Sequence, residues 1–261
     1  MSNSITLREW LQAEPFTLTM SSGFFSFFAH CGMLSVLEEE GLLPRRVTGS
    51  SAGALTAACW ASGMSSKAIR ELFFSISKKD IWDPGFGLGL LKGDKFRQRL
   101  REAVPVLRIE QTAIPLAVSV YDRKNKQTHS YTEGDLANLV SASCAVPFMF
   151  HPVRYQQNSY LDGGIKDRPG LHPVKPAERV FYHHIVSRSP WRRKADPALQ
   201  VPVRENMVSL AIAGLVRSGP SKLAKGPVAY SQARQATQRA LSQVIDKHAT
   251  LHIRAESNHK T

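Results

Sequence analysis

The stretch Gly49-Ser50-Ser51-Ala52-Gly53 restricts the fold more than any other part of this chain. Before it, Arg46-Val47-Thr48 predicts a short strand; after it, the alanine-rich run Ala52 to Ala61 predicts a buried helix closed by Gly63. A serine at such a junction sits on a sharp turn with its hydroxyl raised above a sheet. Glycines two residues to either side let strand and helix approach closely. The helix also turns its positive end toward the hydroxyl, which favours developing negative charge. Ser51 is therefore a candidate nucleophile, with Gly49, Ser50, Ala52 and Gly53 as its elbow; an ordinary glycine turn is the competing reading.

Other segments supply the sheet and helices that such a turn requires. Pro15 to Met20 alternates as a strand and is broken by Ser21, Ser22 and Gly23, after which Phe27, Phe28, Cys31, Leu34 and Leu37 recur at helical spacing. Ser66 to Ile76 predicts an amphipathic helix and Pro84 to Gly89 a glycine-rich loop. Asp94 to Ala103 predicts another helix, with Asp94 as its cap. Pro115 to Tyr121 is a nearly continuous apolar run, as in a strand covered on both faces, and Gln127 to Thr132 pairs with it across a turn at Asn125. Leu136 to Cys144 predicts a helix that stops before Pro147, and Arg179 to Val186 a strand. Asn206 to Leu215 and Val228 to Ile245 predict helices. Strands alternating with helices imply an α/β, three-layer α/β/α domain around a mostly parallel central sheet. At 261 residues the chain suits one domain over 1–261, with Ser187 to Pro202 as a proline-bearing surface loop and a mainly helical, basic part over 187–261.

The net charge of +13 attracts polyanions, and the excess is concentrated late. From Ser187 onward the cations are Arg188, Arg192, Arg193, Lys194, Arg204, Arg217, Lys222, Lys225, Arg234, Arg239, Lys247, Arg254 and Lys260, opposed by Asp196, Glu205, Asp246 and Glu256. A solvated helical face and peripheral contact with an anionic membrane surface are both open readings. Nucleic acid is not an expected partner, because no aromatic interleaving or recognisable module accompanies the cations. The chain shows no signal peptide and no apolar run of membrane-spanning length, and Cys31, Cys59 and Cys144 lack metal-type spacing. The expected location is cytoplasmic, with reduced thiols.

Two further segments carry chemistry. In Tyr160-Leu161-Asp162-Gly163-Gly164 a carboxylate precedes two glycines that leave its backbone free to approach another loop, so Asp162 is a candidate base for Ser51. A plain aspartate-glycine turn is the alternative. Ser21-Ser22-Gly23-Phe24, entering the first long helix, offers backbone amides to an oxyanion, or simply caps the helix. His172, His183 and His184 follow Asp162, the chain order of a hydrolase triad, but His183 and His184 fall on a predicted strand, where a structural role is usual.

Together these segments resemble the patatin-like phospholipase family. The serine turn continues into Ala54-Leu55, and the aspartate segment Leu161-Asp162-Gly163-Gly164 continues to Asp167 and Pro169. Ala142 to Pro147, Phe150, Pro152 and Val153 are similar to the segment before that aspartate, and His30, Gly32 and Leu34 to the family's first helix. The likeness spans Phe16 to about Pro169. It implies a serine acyl-ester hydrolase of lipids working through a Ser51-Asp162 dyad without histidine, metal or organic cofactor. Its oxyanion amides would come from Gly23 and Phe24, with Ser22 as a further candidate. The chain departs from the pattern in that loop, where a run of glycines, an arginine and another glycine are replaced by Ser22, Gly23 and Phe24, then Ser26 and Phe27. The departure keeps a second expectation open, a catalytically weak or inactive lipid-binding or scaffold protein of the same family. Phe24, Phe25, Phe27 and Phe28 either line an acyl site or face the core.

Overall fold

The computed structural model describes residues 5–186, 195–246 and 249–256. Among these, nine strands form the central sheet. In chain order they are β1 (Thr17–Met20), β2 (Arg46–Ser50), β3 (Leu116–Asp122), β4 (Gln127–Tyr131), β5 (Val153–Tyr155), β6 (Asn158–Asp162), β7 (Val180–Ile185), β8 (Met207–Ala213) and β9 (Thr250–Arg254). Spatially the order is β9-β8-β7-β1-β2-β3-β6-β5, with β4 paired to β3. The six strands from β9 to β3 are parallel, whereas β4, β5 and β6 join antiparallel. The result is an α/β fold with a mixed, mostly parallel sheet.

Among the described residues eight α-helices accompany it: α1 (Leu7–Ala13), α2 (Phe27–Glu39), α3 (Ala52–Ala61), α4 (Ser66–Ser75), α5 (Lys78–Ile81), α6 (Asp94–Ala103), α7 (Leu136–Ser143) and α8 (Gly226–Leu241). The main core lies between α1, α2, α3, α7, α8 and the face of the sheet that carries Leu18, Met20, Val47, Val118, Phe181 and Leu210. Alternation along each strand sends the neighbouring side chains to the other face. There Thr19 donates to the Pro169 carbonyl at 2.7 Å, Thr48 to the Gly170 carbonyl at 2.7 Å, and Ser119 to Asp167 at 2.7 Å. On this face the sheet is covered by turns and bends of residues 167–178 and by a small apolar cluster of Val174, Val180, Tyr182 and Met207.

Three expectations need correction. Asn206 to Leu215 is not a helix: β8 runs through it between β7 and β9, and β9 itself was not foreseen, so the described part of 187–261 is not mainly helical. The cause is burial on both faces, which makes β8 a nearly continuous apolar run of helix-like length. Asp94 is the first residue of α6 and not its cap, which is Gly93 in a left-handed conformation. Asp83 accepts the Gly93 and Lys95 amides at 3.1 Å each and does the capping from outside. The last helix is shifted toward the N-terminus, covering Gly226–Leu241 in place of Val228 to Ile245, and Val244–Ile245 pairs with Ile5–Thr6.

Of the loop expected at Ser187 to Pro202, residues 187–194 lie outside the described residues, as do Arg188, Arg192, Arg193, Lys194, Lys247 and Lys260 of the basic set. Within the described part Arg234 pairs with Glu39 at 2.6 Å, Arg239 pairs with Glu256, and Arg204 donates to the carbonyls of Val174 and Lys175. No helix among the described residues is long and apolar enough to cross a membrane.

Candidate active site

Ser51 adopts φ 53° and ψ −120°, a conformation that L residues avoid and that costs on the order of 1–3 kcal/mol. Packing holds it there. A side chain at Gly49 would overlap the backbone of Gly53 and Ala54, and one at Gly53 would overlap the Met20 carbonyl, so α3 begins pressed against the ends of β1 and β2. The Ser51 amide donates to Ser143 Oγ at 2.8 Å, and Ser143 in turn donates to the Ser119 carbonyl at 2.7 Å. The turn is thereby tied to α7 and β3.

Asp162 ends β6, where Val120 of β3 is its register partner, and its amide donates to the Ala145 carbonyl at 3.0 Å. The Ser51 hydroxyl donates to Asp162 Oδ2 at 2.6 Å, while Oδ1 accepts the Gly164 amide at 2.8 Å. Glycine is required after the aspartate because a side chain at 163 would overlap the Ser119 carbonyl and one at 164 the Ser22 hydroxyl. Burial raises the Asp162 carboxyl from its ordinary range to about 6, against the opposing effects of the Ser51 and Gly164 hydrogen bonds and the Arg168 charge. A carboxylate of raised basicity, in contact with an alcohol on a strained turn, can take the alcohol's proton.

Across the same cavity the loop 21–25 presents its backbone. The Ser22 amide is donated to the Arg168 carbonyl at 2.7 Å, which removes Ser22 from the expected oxyanion donors. The amides of Gly23 and Phe24 meet no acceptor among the described residues. Phe25 takes φ 55°, so the loop keeps a left-handed residue where glycine is absent. Ser26 donates its hydroxyl to the Gly23 carbonyl at 2.9 Å, closing the turn, and Ser218 donates to the Phe25 carbonyl at 2.9 Å.

Ser51 and Asp162 open on a cavity of about 480 Å³, within the size range of small-molecule sites. Its walls are mainly apolar: Phe25 and Phe27 from the loop and α2, Leu72, Phe73 and Ile76 from α4 and its end, Phe96 and Leu100 from α6, and Val146, Phe148 and Phe150 after α7. The four phenylalanines divide. Phe24 stands half exposed at the rim, Phe25 and Phe27 line the cavity, and Phe28 is buried behind it. Arg168, Arg99, Asp80 and Asp196 add charge to a wall that is mainly greasy.

The histidines lie elsewhere. His30 Nδ1 and His183 Nδ1 are 2.8 Å apart in the core, and His30 Nε2 donates to the Ser21 carbonyl at 2.8 Å. Burial holds both rings neutral, lowering His30 to about 4 and His183 well below its ordinary value. His184 is lowered to about 3 and bonds Tyr182, while His172 bonds Ser130. None of them lines the cavity of Ser51. No group of three His, Cys, Asp or Glu suited to a metal ion occurs among the described residues.

Sequence reasoning missed Ser143 and His30 as supports of the turn and the loop. Ser143 had no readable signal, since a hydroxyl at the end of a helix is common and its acceptor lies 24 residues away.

A family model described as patatin-like phospholipase matches residues 18–175. An uncharacterised NTE family protein of Mycobacterium tuberculosis is 27% identical over 169 residues, which take in 60% of this chain and 44% of that protein. Neuropathy target esterase sws of Drosophila grimshawi is 26% identical over 174 residues, 63% of this chain and 12% of its own length. The chain therefore spans less than half the length of either relative. The crystal structure of VipD from Legionella pneumophila shares the fold, with a TM-score of 0.62 at 16% identity, covering 89% of this chain and 68% of that one.

Proposed function

Because the chain belongs to the patatin-like phospholipase family, we propose that it is a serine hydrolase of lipid acyl esters in which Ser51 is the nucleophile and Asp162 the general base and acid. The observation that carries this reading is the 2.6 Å hydrogen bond from Ser51 Oγ to Asp162 Oδ2 on a backbone turn at φ 53°.

In the reaction Ser51 Oγ attacks the ester carbonyl carbon as its proton passes to Asp162. The negative charge that develops on the carbonyl oxygen is met by the Gly23 and Phe24 amides and the positive end of α3. Collapse breaks the bond to the alcohol, which leaves with the proton from Asp162, and an acyl group remains on Ser51. Water then adds to the acyl carbon and gives a proton to Asp162. Ser51 recovers that proton as the fatty acid departs. The apolar cavity fits an acyl chain, and the whole chain acts as one domain in which residues 16–170 supply the chemistry.

A specific observation favours a second reading. The Ser22 amide is already spent on the Arg168 carbonyl, and Phe24 and Phe25 narrow the approach to the remaining donors, which suits a slow enzyme or a lipid-binding protein. Fluorophosphonate labelling together with turnover of p-nitrophenyl esters and phospholipid decides between them. A competent enzyme labels at Ser51, and Ser51→Ala and Asp162→Asn abolish turnover while remaining folded. Retention of most activity in Asp162→Asn removes the dyad assignment.

A further inference from the structure

Residues 84 to 91 read Pro-Gly-Phe-Gly-Leu-Gly-Leu-Leu, and their alternation is the reverse of what water favours. Pro84 and Leu91 face each other across an antiparallel bridge, so the segment doubles back as a hairpin bent at residues 86–88. The glycines lie on its packed side. A side chain at Gly85 would overlap Lys92, one at Gly87 the His151 ring, and one at Gly89 the Phe150 backbone. The outward set is Phe86, Leu88 and Leu90, at 107%, 64% and 56% exposure.

The ribbon is built, not loose. Gly85 donates its amide to the Leu90 carbonyl at 3.2 Å, and Lys92 to the Asp83 carbonyl at 2.9 Å. His151 Nε2 donates to the Gly89 carbonyl at 3.0 Å and reaches the Gly85 carbonyl at 3.3 Å. Gly89–Leu91 pairs with Phe148–Phe150, which sets Phe148 opposite Gly89. Phe148 is 79% exposed and also lines the cavity of Ser51, so exposed apolar side chains stand on both paired segments beside the cavity. Trp82, at the base of the ribbon, is exposed as well. Exposed apolar side chains gathered on paired backbone mark a contact surface.

Charge selects the partner. Residues 78 to 101 hold seven Lys and Arg against three Asp, and with Arg97 paired to Asp94 and Arg101 to Asp135 the lysines carry the exposed positive charge. Lys78, Lys79, Lys92 and Lys95 are exposed beside the ribbon, with Lys78 Nζ 5.0 Å from the centre of the Trp82 ring. Aromatic and aliphatic side chains flanked by lysines are the composition that settles into the headgroup region of anionic bilayers.

We propose that the ribbon 82–91 with Phe148 docks this protein on an anionic lipid surface and holds the cavity mouth against it. The choice of lipid as occupant rests on the ester-hydrolase reading of the cavity; the binding itself is measured without turnover.

The experiment is sedimentation with vesicles of phosphatidylcholine alone or mixed with phosphatidylglycerol, alongside size-exclusion chromatography and hydrolysis of a water-soluble short-chain ester. The wild type is expected to bind the mixed vesicles more tightly than the neutral ones, and less tightly as salt is raised. The combined Phe86→Ser, Leu88→Ser, Leu90→Ser variant loses about tenfold or more of that binding because the inserting groups are gone. Its turnover of the soluble ester stays at the wild-type level, which also reports that it is folded. Lys92→Glu with Lys95→Glu weakens binding to the mixed vesicles only. Equal sedimentation of the serine variant and wild type overturns the proposal, as does wild-type protein that binds neither vesicle. A concentration-dependent dimer abolished by the serine substitutions also overturns it and assigns the face to a second copy. Vesicle binding without ester hydrolysis by the wild type leaves docking intact and removes the hydrolase reading.

Discussion

The backbone amide of Ser51 and the hydroxyl of Ser143 are joined at 2.8 Å, and that hydroxyl is itself anchored on the Ser119 carbonyl. One buried side chain therefore holds the strained turn from behind. Ser143→Ala leaves the Ser51 amide unpaired, and the expected loss is about 1–3 kcal/mol of stability. If the bond also fixes the hydroxyl, kcat for a soluble ester falls about tenfold with KM little changed, a split that general destabilisation does not produce. Urea unfolding and steady-state kinetics on the same preparation check both.

Asp162 must be ionised to accept a proton, and burial raises its carboxyl to about 6. The pH profile of kcat/KM on an ester without ionising groups is expected to rise through about 6 and level above it. An ordinary surface carboxylate would place that limb nearer pH 4. A flat profile between pH 5 and 7 counts against Asp162 as the base.

The same shift acts on stability. Since the folded state holds the proton more tightly than the unfolded one, ionising Asp162 disfavours folding as pH rises from about 4 to about 6. Asp162→Asn removes that burden, so the variant is expected to be more stable than wild type above pH 6, by up to about 3 kcal/mol, and close to it near pH 4. Denaturant titrations at several pH values measure the gap.

His30 responds in the opposite sense. Its folded value of about 4 lies below the ordinary one, so its neutral form supports folding above pH 6.5 and that support is lost as pH falls toward 4. His30→Gln keeps a donor for the Ser21 carbonyl but cannot titrate. The variant is expected to be less stable than wild type at pH 7.5, and the difference should shrink by up to about 3 kcal/mol on acidification.

Gly53→Ala tests the close approach of α3 to β1. The added methyl meets the backbone carbonyl of Met20, which cannot swing aside, and the expected destabilisation is about 3 kcal/mol or more. Gly41→Ala is the control: φ is 64° there but no atom lies within 4 Å, so only backbone strain of about 1 kcal/mol is expected. Thermal or urea unfolding of the two variants ranks them.

Much of the fold was legible because its signals are local. Ala52–Ala61, Asp94–Ala103 and the hairpin after Leu116–Asp122 stand where periodicity and turn residues put them. The meeting of Ser51 and Asp162, 111 residues apart, was foreseen from a resemblance and not from spacing. What failed was non-local. In β8 the large Val208, Leu210 and Ile212 alternate with the small Ser209, Ala211 and Ala213, a period of two that an apolar run on both faces obscured. In β9 the alternation is plain, with Leu251 and Ile253 inward, but the strand is short and late. The use of the Ser22 amide by the Arg168 carbonyl depends on chain brought back from far along the sequence, whereas Asp83 caps α6 from ten residues upstream across a turn that periodicity does not reveal.

The elbow is keyed to the ends of β1 and β2, and the loop carrying Gly23 grows directly out of β1, so the reacting groups share one stiff joint. Phe25 and Phe27 of the greasy walls belong to that joint, whereas the rest come chiefly from α4, α6 and the stretch after α7. On the proposed ester-hydrolase reading, substitutions at Leu72, Ile76 or Phe96 are expected to change which acyl chains are admitted more than they change bond cleavage. On that reading, chain preference is free to drift while the reacting groups stay fixed.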